Sequence, residues 1–350
     1  DCNLRCRYCF AGTGDMGHDR RLMTKEVGKA AVDYIIAHSG KRKHCEIDFF
    51  GGEPLVNMPV VKYVTEYVRQ KEKETGKIFK LTLTTNGVLL NDDNIKWLND
   101  NNISLVLSLD GRKEVHDYMR PDVGGNGTYD KVVKNFKKLV ASRNGENYYL
   151  RGTFTNRNMD FSKDVLSMAD EGFDILSVEP VVLKDSPYGF TEKDLPTIFA
   201  EYDKLTEIYL KRQKEGKGFF FFHFNIDLEH GPCVAKRLSG CGAGHEYFAV
   251  AADGNLYPCH QFAGRENYML GNVFDGVKNT ELPKEFRSTH VLSKEKCRDC
   301  WAKFFCSGGC HANADLFHGN IHEPYELGCE LQKKRCECAI VVQTAKKFGL

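Results

Sequence analysis

Three cysteines at the start of the chain constrain its fold more than any other feature. Cys2, Cys6 and Cys9 follow C-x3-C-x2-C spacing. Three thiolates on one short loop can bind three irons of a [4Fe–4S] cube, which leaves the fourth iron without a protein ligand and open to chemistry. A disulfide pair or a zinc loop is the alternative. Structural zinc takes four ligands, and the next candidates along the chain are His18 and Cys45.

Size and charge limit the classes of protein that fit. The chain has 350 residues, 41% of them hydrophobic, and a formal net charge of +1. This length suits one large or two medium domains, and the balanced charge predicts neither a nucleic-acid nor a membrane partner. The longest apolar runs, 219–222 and 339–342, are too short to cross a bilayer. No signal peptide is visible, and because the chain opens directly on its motif, we expect that a preceding segment has been removed.

The remaining cysteines are unevenly distributed. Of the 14 cysteines, nine fall between Cys241 and Cys338. Several are separated by only a few residues, a spacing that suits metal ligation better than the cross-linking of distant loops. The cysteine usage therefore predicts thiolate-bound metal in a reducing, cytoplasmic environment.

The first two-thirds of the chain alternates between strand and helix patterns. Strands are predicted at residues 45–50, 79–85, 103–109, 148–155 and 175–183. Helices are predicted at residues 24–39, 59–75, 91–101, 129–142, 161–172 and 192–215. Such alternation predicts parallel pairing with right-handed crossovers, and a sixth strand is expected before Cys2. The predicted fold is α/β: a partial (β/α)6 barrel over residues 1–215, a connecting segment at 216–240 and a cysteine-rich domain at 241–350.

Polar motifs follow several predicted strands. Gly51-Gly52-Glu53-Pro54 ends the first, Thr85-Asn86-Gly87 the second, and Ser108 lies at the end of the third. Functional groups in parallel barrels gather at the carboxyl ends of the strands. Glycines let the backbone approach a ligand closely, and Glu53 adds an anionic acceptor. On its own, the glycine motif could be an ordinary turn.

Together, the cysteine loop and the Gly51–Pro54 motif resemble the radical SAM superfamily. The resemblance implies S-adenosylmethionine (SAM) as a cofactor, with its methionyl amino group at Gly51, Gly52, Glu53 and Pro54 and its adenine beside Tyr8. It also implies a catalytic role for the cluster at the three cysteines, because an electron from the reduced cluster cleaves SAM to a 5′-deoxyadenosyl radical.

Four further residues are candidates for SAM contact. Asn86 and Ser108 could bond to the ribose or the methionyl part. Arg120 and Arg151 compete for the SAM carboxylate, which a guanidinium can bind bidentately. The segment from His116 to Arg120 also resembles one that is common in the peptide-modifying branch of the superfamily.

The cysteine spacing in the last third resembles the SPASM domain of radical SAM maturases. That resemblance implies two auxiliary clusters and therefore three [4Fe–4S] clusters in all. The ligands implied for auxiliary cluster II are Cys297, Cys300, Cys306 and Cys329. Those implied for auxiliary cluster I are Cys241, Cys259 and Cys310. Its fourth ligand stays open: sulfatase-maturing relatives have a cysteine at the position of Tyr247, and Cys233, a substrate cysteine or an open iron are the alternatives.

The whole pattern most resembles the thioether-forming (sactisynthase-type) maturases of SCIFF peptides. The resemblance implies hydrogen abstraction from a cysteine-rich precursor peptide with a leader, formation of a bond from cysteine sulfur to carbon, and a flavodoxin- or ferredoxin-like electron donor. The alternatives are formylglycine formation as in anaerobic sulfatase maturation, carbon–carbon crosslinking and epimerisation. An electron carrier would not need the glycine motif, and a zinc-stabilised interaction module would be colourless.

Several residues have simpler interpretations. Cys45 is expected in the core of a strand, and Cys336 and Cys338 are expected to be structural because they face different ways on a helix. Residues 219–224 are expected to form a buried strand joining the domains. His260 stands where sulfatase-maturing enzymes have a catalytic Asp, and it is either a base or a hydrogen-bonding neighbour of a cluster.

Overall fold

The computed structural model describes residues 1–12, 20–231 and 233–349. His18, named above as a possible zinc ligand, lies outside the described residues. A six-stranded sheet has the order β1-β2-β3-β4-β5-β6. Its strands are β1 (His44–Phe49), β2 (Ile78–Thr85), β3 (Ser104–Ser108), β4 (Tyr148–Phe154), β5 (Ile175–Pro180) and β6 (Phe220–Phe221). The pairings of β1 with β2, β2 with β3, β3 with β4 and β5 with β6 are all parallel.

Helices alternate with these strands in the order that the sequence predicts. They are α1 (Lys25–His38), α2 (Met58–Thr75), α3 (Asp92–Asp100), α4 (Lys113–Met119), α5 (Tyr129–Ala141), α6 (Ser162–Asp170) and α7 (Leu195–Lys214). Local signals set their ends. The Thr24 side chain accepts a hydrogen bond from the Val27 N–H at the start of α1, and Gly76, with φ of 69°, closes α2. The α/β alternation of a partial (β/α)6 barrel is confirmed.

Three details differ from the sequence-based expectations. The sixth strand of the sheet is β6, within residues 219–224, where a continuous buried strand was expected. That expectation is wrong, because residues Phe222–Phe224 form a 3-10 turn and Phe222 is 61% exposed. Strand β5 ends early, at Pro180, which has no N–H to extend the pairing. Helix α4 was not predicted, since seven residues are too few for a clear helical period.

The last third of the chain adds short elements and one long helix. The helices are α8 (Val234–Arg237), α9 (Glu281–Ser288), α10 (Glu295–Arg298), α11 (Lys303–Cys306), α12 (His311–His318) and α13 (Glu326–Phe348). A small antiparallel sheet contains β7 (Ala249–Val250), β8 (Asn255–Tyr257), β9 (Gly271–Asn272) and β10 (Gly276–Val277). Among the described helices, none is long and apolar enough to cross a bilayer.

Contacts along the chain define two compact units. The first contains residues 1–109, 113–151 and 248–280, and the second contains residues 110–112, 152–247 and 281–350. In the first unit, β2 alternates between buried apolar residues that include Leu81 and Leu83 and a less buried polar face that includes Lys80 and Thr82. Because strands buried on both faces are apolar throughout, this polar face indicates a surface that meets water or a ligand. In the second unit, α7 packs against α13.

Candidate metal-cluster and nucleotide site

The N-terminal cysteine loop is held by backbone pairing within the first unit. Leu4 forms an antiparallel bridge with Asp122, and its side chain is buried. The Arg5 N–H donates to the Pro121 carbonyl at 2.8 Å. The backbone between the cysteines is therefore fixed, while Cys2, Cys6 and Cys9 stay half-buried.

The thiols of this loop lie close enough to influence one another. Burial raises the pKa of Cys2, and the charges of Glu53 and Cys9 raise it further, whereas a hydrogen bond from the Leu4 N–H to Cys2 Sγ, at 3.5 Å, opposes them. A turn between Cys6 and Cys9 is closed by an N–H to carbonyl bond of 3.2 Å. A bound metal would relieve this crowding of negative charge, so the three residues fit the open cluster predicted from their spacing.

The thiolate ligands of a [4Fe–4S] cluster lie farther apart than the ligands of a single metal ion. Across residues 1–12, 20–231 and 233–349, no three His, Cys, Asp or Glu side chains converge as the ligands of one metal ion would. The thiolates of a [4Fe–4S] cluster each bind a different iron and do not meet at one point.

The glycine turn after β1 packs directly against the cysteine loop. The Glu53 N–H donates to the Asp1 carbonyl at 2.9 Å. A Cβ atom on Gly52 would lie 2.1 Å from that carbonyl oxygen and 3.1 Å from Cys2 Cβ. Only glycine allows this approach, since real Cβ atoms essentially never come so close to another heavy atom. The two motifs singled out in the sequence are thus joined at one place.

The Glu53 carboxylate lies at the centre of this junction. It is 3% exposed, and it accepts hydrogen bonds from the Leu55 N–H at 3.1 Å, the Thr85 hydroxyl at 2.8 Å and the Asn86 N–H at 2.7 Å. Burial raises the pKa of Glu53 to about 7, and these three bonds oppose the rise. They fill three of the roughly four acceptor sites of a carboxylate, so Glu53 ties the ends of β1 and β2 together and keeps little capacity for a ligand.

Asn86 connects the end of β2 to the cysteine loop. Its Nδ2 donates to Asn3 Oδ1 at 2.9 Å and lies 3.9 Å from Cys2 Sγ. Its Oδ1 accepts a hydrogen bond from the Val88 N–H at 3.1 Å. The amide therefore stands beside the predicted cluster, where the sequence placed a SAM contact.

The two arginines that compete for the SAM carboxylate occupy different parts of the first unit. The Arg120 guanidinium lies 5.5 Å from the centre of the Tyr8 ring and is 9% exposed. Arg151 is exposed and stands opposite Ser108 in the register of β3 and β4. Both arginines remain candidates for the role, and the guanidinium of Arg120 lies over the Tyr8 ring.

His260 is packed among aromatic rings next to the cysteine loop. Its ring centre lies 4.7 Å from that of Phe50 and 5.4 Å from that of Phe10. Burial and the charge of Arg151 lower the pKa of His260 to about 4. A neutral imidazole with so low a pKa is a weak base at neutral pH, which favours the packing and hydrogen-bonding role over the role of a base.

Asp48 provides a pH-dependent prediction. Asp48 lies on the less buried face of β1 and is exposed as a residue. Protein atoms around its carboxyl nevertheless raise its pKa to about 6, and the charge of Arg151 opposes this rise. As the pH rises, Asp48 loses its proton at a lower pH in the unfolded chain than in the folded one. Ionisation of Asp48 therefore lowers the free energy of unfolding, and this loss of stability is complete above pH 6. We expect Asp48→Asn to stabilise the protein by about 1 kcal/mol at pH 8, after discounting for solvent screening. Anaerobic thermal-shift measurements should show this advantage shrink below pH 6, and an equal advantage at pH 5 and pH 8 would contradict it.

Four thiols come together in the second unit. Burial raises the pKa of Cys329 to about 12, with further increases from the charges of Cys306, Cys297 and Cys300. All four are the residues that the sequence assigned to auxiliary cluster II. Their mutual charge fits a site where metal takes the place of protons.

A buried lysine lies beside this four-thiol set and was missed by sequence reasoning. Lys294 is 3% exposed, and its Nζ donates to the Gly308 carbonyl at 3.0 Å. Burial lowers the pKa of Lys294, while the charges of nearby cysteines, including Cys297 and Cys306, raise it. A buried cation next to four thiols offsets the negative charge that an iron–thiolate cluster carries.

The residues assigned to auxiliary cluster I are divided between the units. Cys310 and Cys241 lie in the second unit, where desolvation raises the pKa of Cys310 and the charge of Cys241 adds to it. Cys259 follows β8 in the first unit. Cys233 is exposed and precedes α8. Their assignment as ligands stays a prediction.

The remaining cysteines lie where the sequence suggested. Cys45 is buried in β1, and Cys336 and Cys338 are buried in α13. The surroundings of Cys336 were not expected. Burial raises the pKa of Cys336, and the charges of Cys306 and Cys300 raise it further. It therefore stands next to the four-thiol set without having been predicted there.

Comparison with protein families identifies two domains. Residues 1–156 match the radical SAM superfamily, and residues 241–301 match SPASM, an iron–sulfur cluster-binding domain. These matches contain the cysteine loop and the glycine turn in the first case, and the start of the cysteine-rich segment in the second.

Three curated proteins illustrate the range of relatives. A cysteine-type anaerobic sulfatase-maturating enzyme of Clostridium novyi (strain NT) is 26% identical, over 90% of this chain and 86% of its own length. The corresponding enzyme of Clostridium perfringens (strain 13 / Type A) is 28% identical, over 90% and 87%. The radical SAM cyclopropyl synthase TigE of Paramaledivibacter caminithermalis is 22% identical, over 95% of this chain and 70% of its own.

Solved structures share the fold. The structure of native anSMEcpe with bound AdoMet superposes with a TM-score of 0.77 at 23% identity, covering 97% of this chain and 94% of that one. The structure of native anSMEcpe with bound AdoMet and Cp18Cys peptide gives a TM-score of 0.80 at 23% identity and covers 99% and 96%. By the family matches, the chain contains a radical SAM domain at residues 1–156 and a SPASM domain at residues 241–301, and its cofactors are [4Fe–4S] clusters and S-adenosylmethionine.

Proposed function

We propose that this enzyme oxidises a cysteine side chain of a peptide or protein substrate to an aldehyde, as formylglycine formation in anaerobic sulfatase maturation requires. The junction of the cysteine loop with the glycine turn, through the Glu53 N–H to Asp1 carbonyl bond, is the observation that carries the radical chemistry. The relatives named as cysteine-type sulfatase-maturating enzymes support the choice of reaction.

In this proposal, residues of the first unit hold the cysteine loop and the glycine turn together and limit the access of water to them. When bound, the cluster and SAM provide a 5′-deoxyadenosyl radical that removes a hydrogen atom from the substrate. Glu53 holds the glycine turn against the cysteine loop, and Asn86 stands beside Cys2. The rings of Phe10, Phe50 and His260 form an aromatic cover next to the loop, which would limit access of water to a reactive intermediate.

We propose the following roles for the other site residues. Tyr8 contacts the adenine, and the Gly51–Pro54 turn receives the methionyl amino group, to which Glu53 offers its one remaining acceptor site. Ser108 and Asn86 bond to the ribose or methionyl part, and Arg120 or Arg151 binds the carboxylate. The domains are proposed to span 1–215 and 241–350, joined by 216–240. A flavodoxin- or ferredoxin-like donor in the cytoplasm would supply the electron.

Thioether formation on a cysteine-rich precursor peptide with a leader is the second candidate. Two positions favour it: His260 replaces the Asp expected of a sulfatase-maturing enzyme, and Tyr247 replaces a cysteine. With three cysteines at auxiliary cluster I, an open iron could hold the thiolate of the substrate.

Product analysis distinguishes these reactions. Anaerobic enzyme with reductant, SAM and a cysteine-containing peptide is expected to release 5′-deoxyadenosine and a peptide that has lost its sulfur and reacts with a hydrazide. Loss of two hydrogens with sulfur retained and the cysteine thiol no longer free would establish the thioether instead, and the same loss with a free thiol would establish a carbon–carbon crosslink. An unchanged mass in ordinary water, with one deuterium gained at Cα in deuterated water, would establish epimerisation. The same peptide with alanine for cysteine is the control, and an unmodified cysteine peptide despite SAM cleavage would contradict both proposals.

A further inference from the structure

Helix α13 carries both a largely buried arginine and Cys329 of the four-thiol set. Arg335 follows Cys329 by six residues in the sequence, and its side chain is 13% exposed. A guanidinium keeps its charge at every pH at which proteins fold, so burial of this group requires partners. No motif in the sequence drew attention to it.

Two partners hold one end of the guanidinium. Arg335 Nη1 donates to Glu179 Oε2 at 3.0 Å and lies 3.1 Å from His223 Nδ1. Because arginine can only donate, His223 Nδ1 must accept, and the imidazole proton is assigned to Nε2. That nitrogen lies 3.0 Å from Glu179 Oε1, which completes a closed ring of three hydrogen bonds around a neutral histidine.

The helix that carries Arg335 also carries Cys329 and packs against α11, which ends at Cys306. The charge of Arg335 lowers the pKa of Cys306, against a larger increase from burial, and it acts in the same direction on Cys336. Cys336 is buried and Cys306 is half-buried, so water screens the field of the guanidinium only in part. Arg335 therefore acts electrostatically on at least one of the four thiols assigned to auxiliary cluster II.

Two buried polar atoms in this region have unused hydrogen-bonding capacity. Arg335 Nε and Tyr202 Oη have no hydrogen-bond partner among the residues that the structure describes. Tyr202 is fully buried, and the charge of Arg335 lowers its pKa, against a larger increase from burial. A buried N–H without a partner is costly in a purely structural ion pair, but it is useful where a bound group supplies an acceptor, and the sulfurs of an iron–sulfur cluster accept such bonds.

We propose that Arg335 raises the reduction potential of the cluster held by Cys297, Cys300, Cys306 and Cys329, and that Glu179 and His223 are positioning residues that hold the guanidinium. The proposal rests on the ligand set described above. Reduction adds a negative charge to the cluster, so a fixed positive charge nearby favours the reduced form. Such a cluster would more readily accept the electron that the substrate loses after hydrogen abstraction.

Redox titration followed by electron paramagnetic resonance tests the proposal without reference to activity. The full chain with Cys2, Cys6 and Cys9 replaced by alanine keeps only auxiliary clusters, which simplifies the spectrum. In this background we expect Arg335→Gln to lower the ratio of reduced to oxidised forms of one cluster about tenfold at a fixed potential, a shift of about 59 mV for one electron. Arg335→Lys keeps the charge and is expected to shift the potential much less.

Glu179→Gln is expected to shift the reduction potential in the opposite direction to Arg335→Gln. It removes the negative charge that offsets Arg335, so the potential of the same cluster should rise. A structural role alone would not move the two variants in opposite directions. This comparison still decides the matter if Arg335→Gln fails to load iron, because a rise in potential cannot arise from a lost cluster.

Lys347→Gln is the matched control on the same helix. Lys347 is 57% exposed and pairs with Glu229, so water screens its charge and the potential should not change. Equal shifts for Arg335→Gln and Arg335→Lys, or a fall or no change with Glu179→Gln, would overturn the proposal. Absence of iron at the four cysteines in the unmodified chain would instead refute the ligand assignment, which keeps the two failures distinct.

Discussion

Replacement of Cys2, Cys6 and Cys9 by alanine is expected to abolish the release of 5′-deoxyadenosine from SAM. The three thiols stand on one fixed loop beside Asn86 and the glycine turn, and their loss removes every protein ligand proposed for the open cluster. Chromatography of the nucleoside products after anaerobic reduction measures the effect. Iron analysis of the same variant should show that auxiliary iron remains.

Cys45→Ala is the control for this experiment. Cys45 is buried in β1 and was the alternative fourth ligand in a zinc interpretation of the loop. If the loop binds a cluster, Cys45→Ala should still produce 5′-deoxyadenosine. Sustained nucleoside release by the triple variant, or its complete loss in Cys45→Ala without unfolding, would contradict the assignment.

The second large effect is expected from one added methyl group. In Gly52→Ala the new Cβ would lie 2.1 Å from the Asp1 carbonyl oxygen and 2.5 Å from its carbon. Both are backbone atoms, so the overlap is relieved only by moving the cysteine loop away from the turn, which breaks the Glu53 N–H to Asp1 bond. Overpacking of this kind costs about 1–3 kcal/mol, and we expect SAM cleavage to fall by at least about tenfold.

Gly216→Ala separates this clash from ordinary backbone strain. Gly216 has φ of 71° and open space around its Cα. Alanine there costs about 1–2 kcal/mol through the left-handed conformation alone. Thermal stability should therefore fall in both variants, while SAM cleavage falls only in Gly52→Ala. Equal activity of the two variants would show that the contact with Asp1 does not position the loop.

Elements with a strong local pattern could be predicted from the sequence. Strand β2 and helix α2 were found because burial alternates with period 2 in one and Gly76 ends the other. β6 was not recognised as a separate strand, since two residues carry no periodicity and the aromatic run around them suggested one continuous strand. The fold followed because strands and helices alternate, which leaves few topologies open.

The sequence predicted those residues of the candidate site that lie in recognisable motifs, and it did not predict the others. The spacing of cysteines named the thiols, but nothing local indicated that Glu53 would bond to Thr85 and Asn86. Lys294 and Arg335 were missed because each stands in a run of charged residues, 294–296 and 333–335, and such residues usually face water. Glu179, the partner of Arg335, is 156 residues away in the sequence, and such a pairing becomes visible only when the chain is folded.

The hydrogen bonds of Glu53 have a consequence for affinity. Leu55, Thr85 and Asn86 already fix the carboxylate and the backbone around it, so an incoming nucleotide meets a preorganised surface. Immobilising a flexible turn would cost conformational entropy at the moment of association, and here that loss has been incurred when the chain folds. Association can therefore be tight without a large contact area, since rigid receptors retain more of their gross interaction energy.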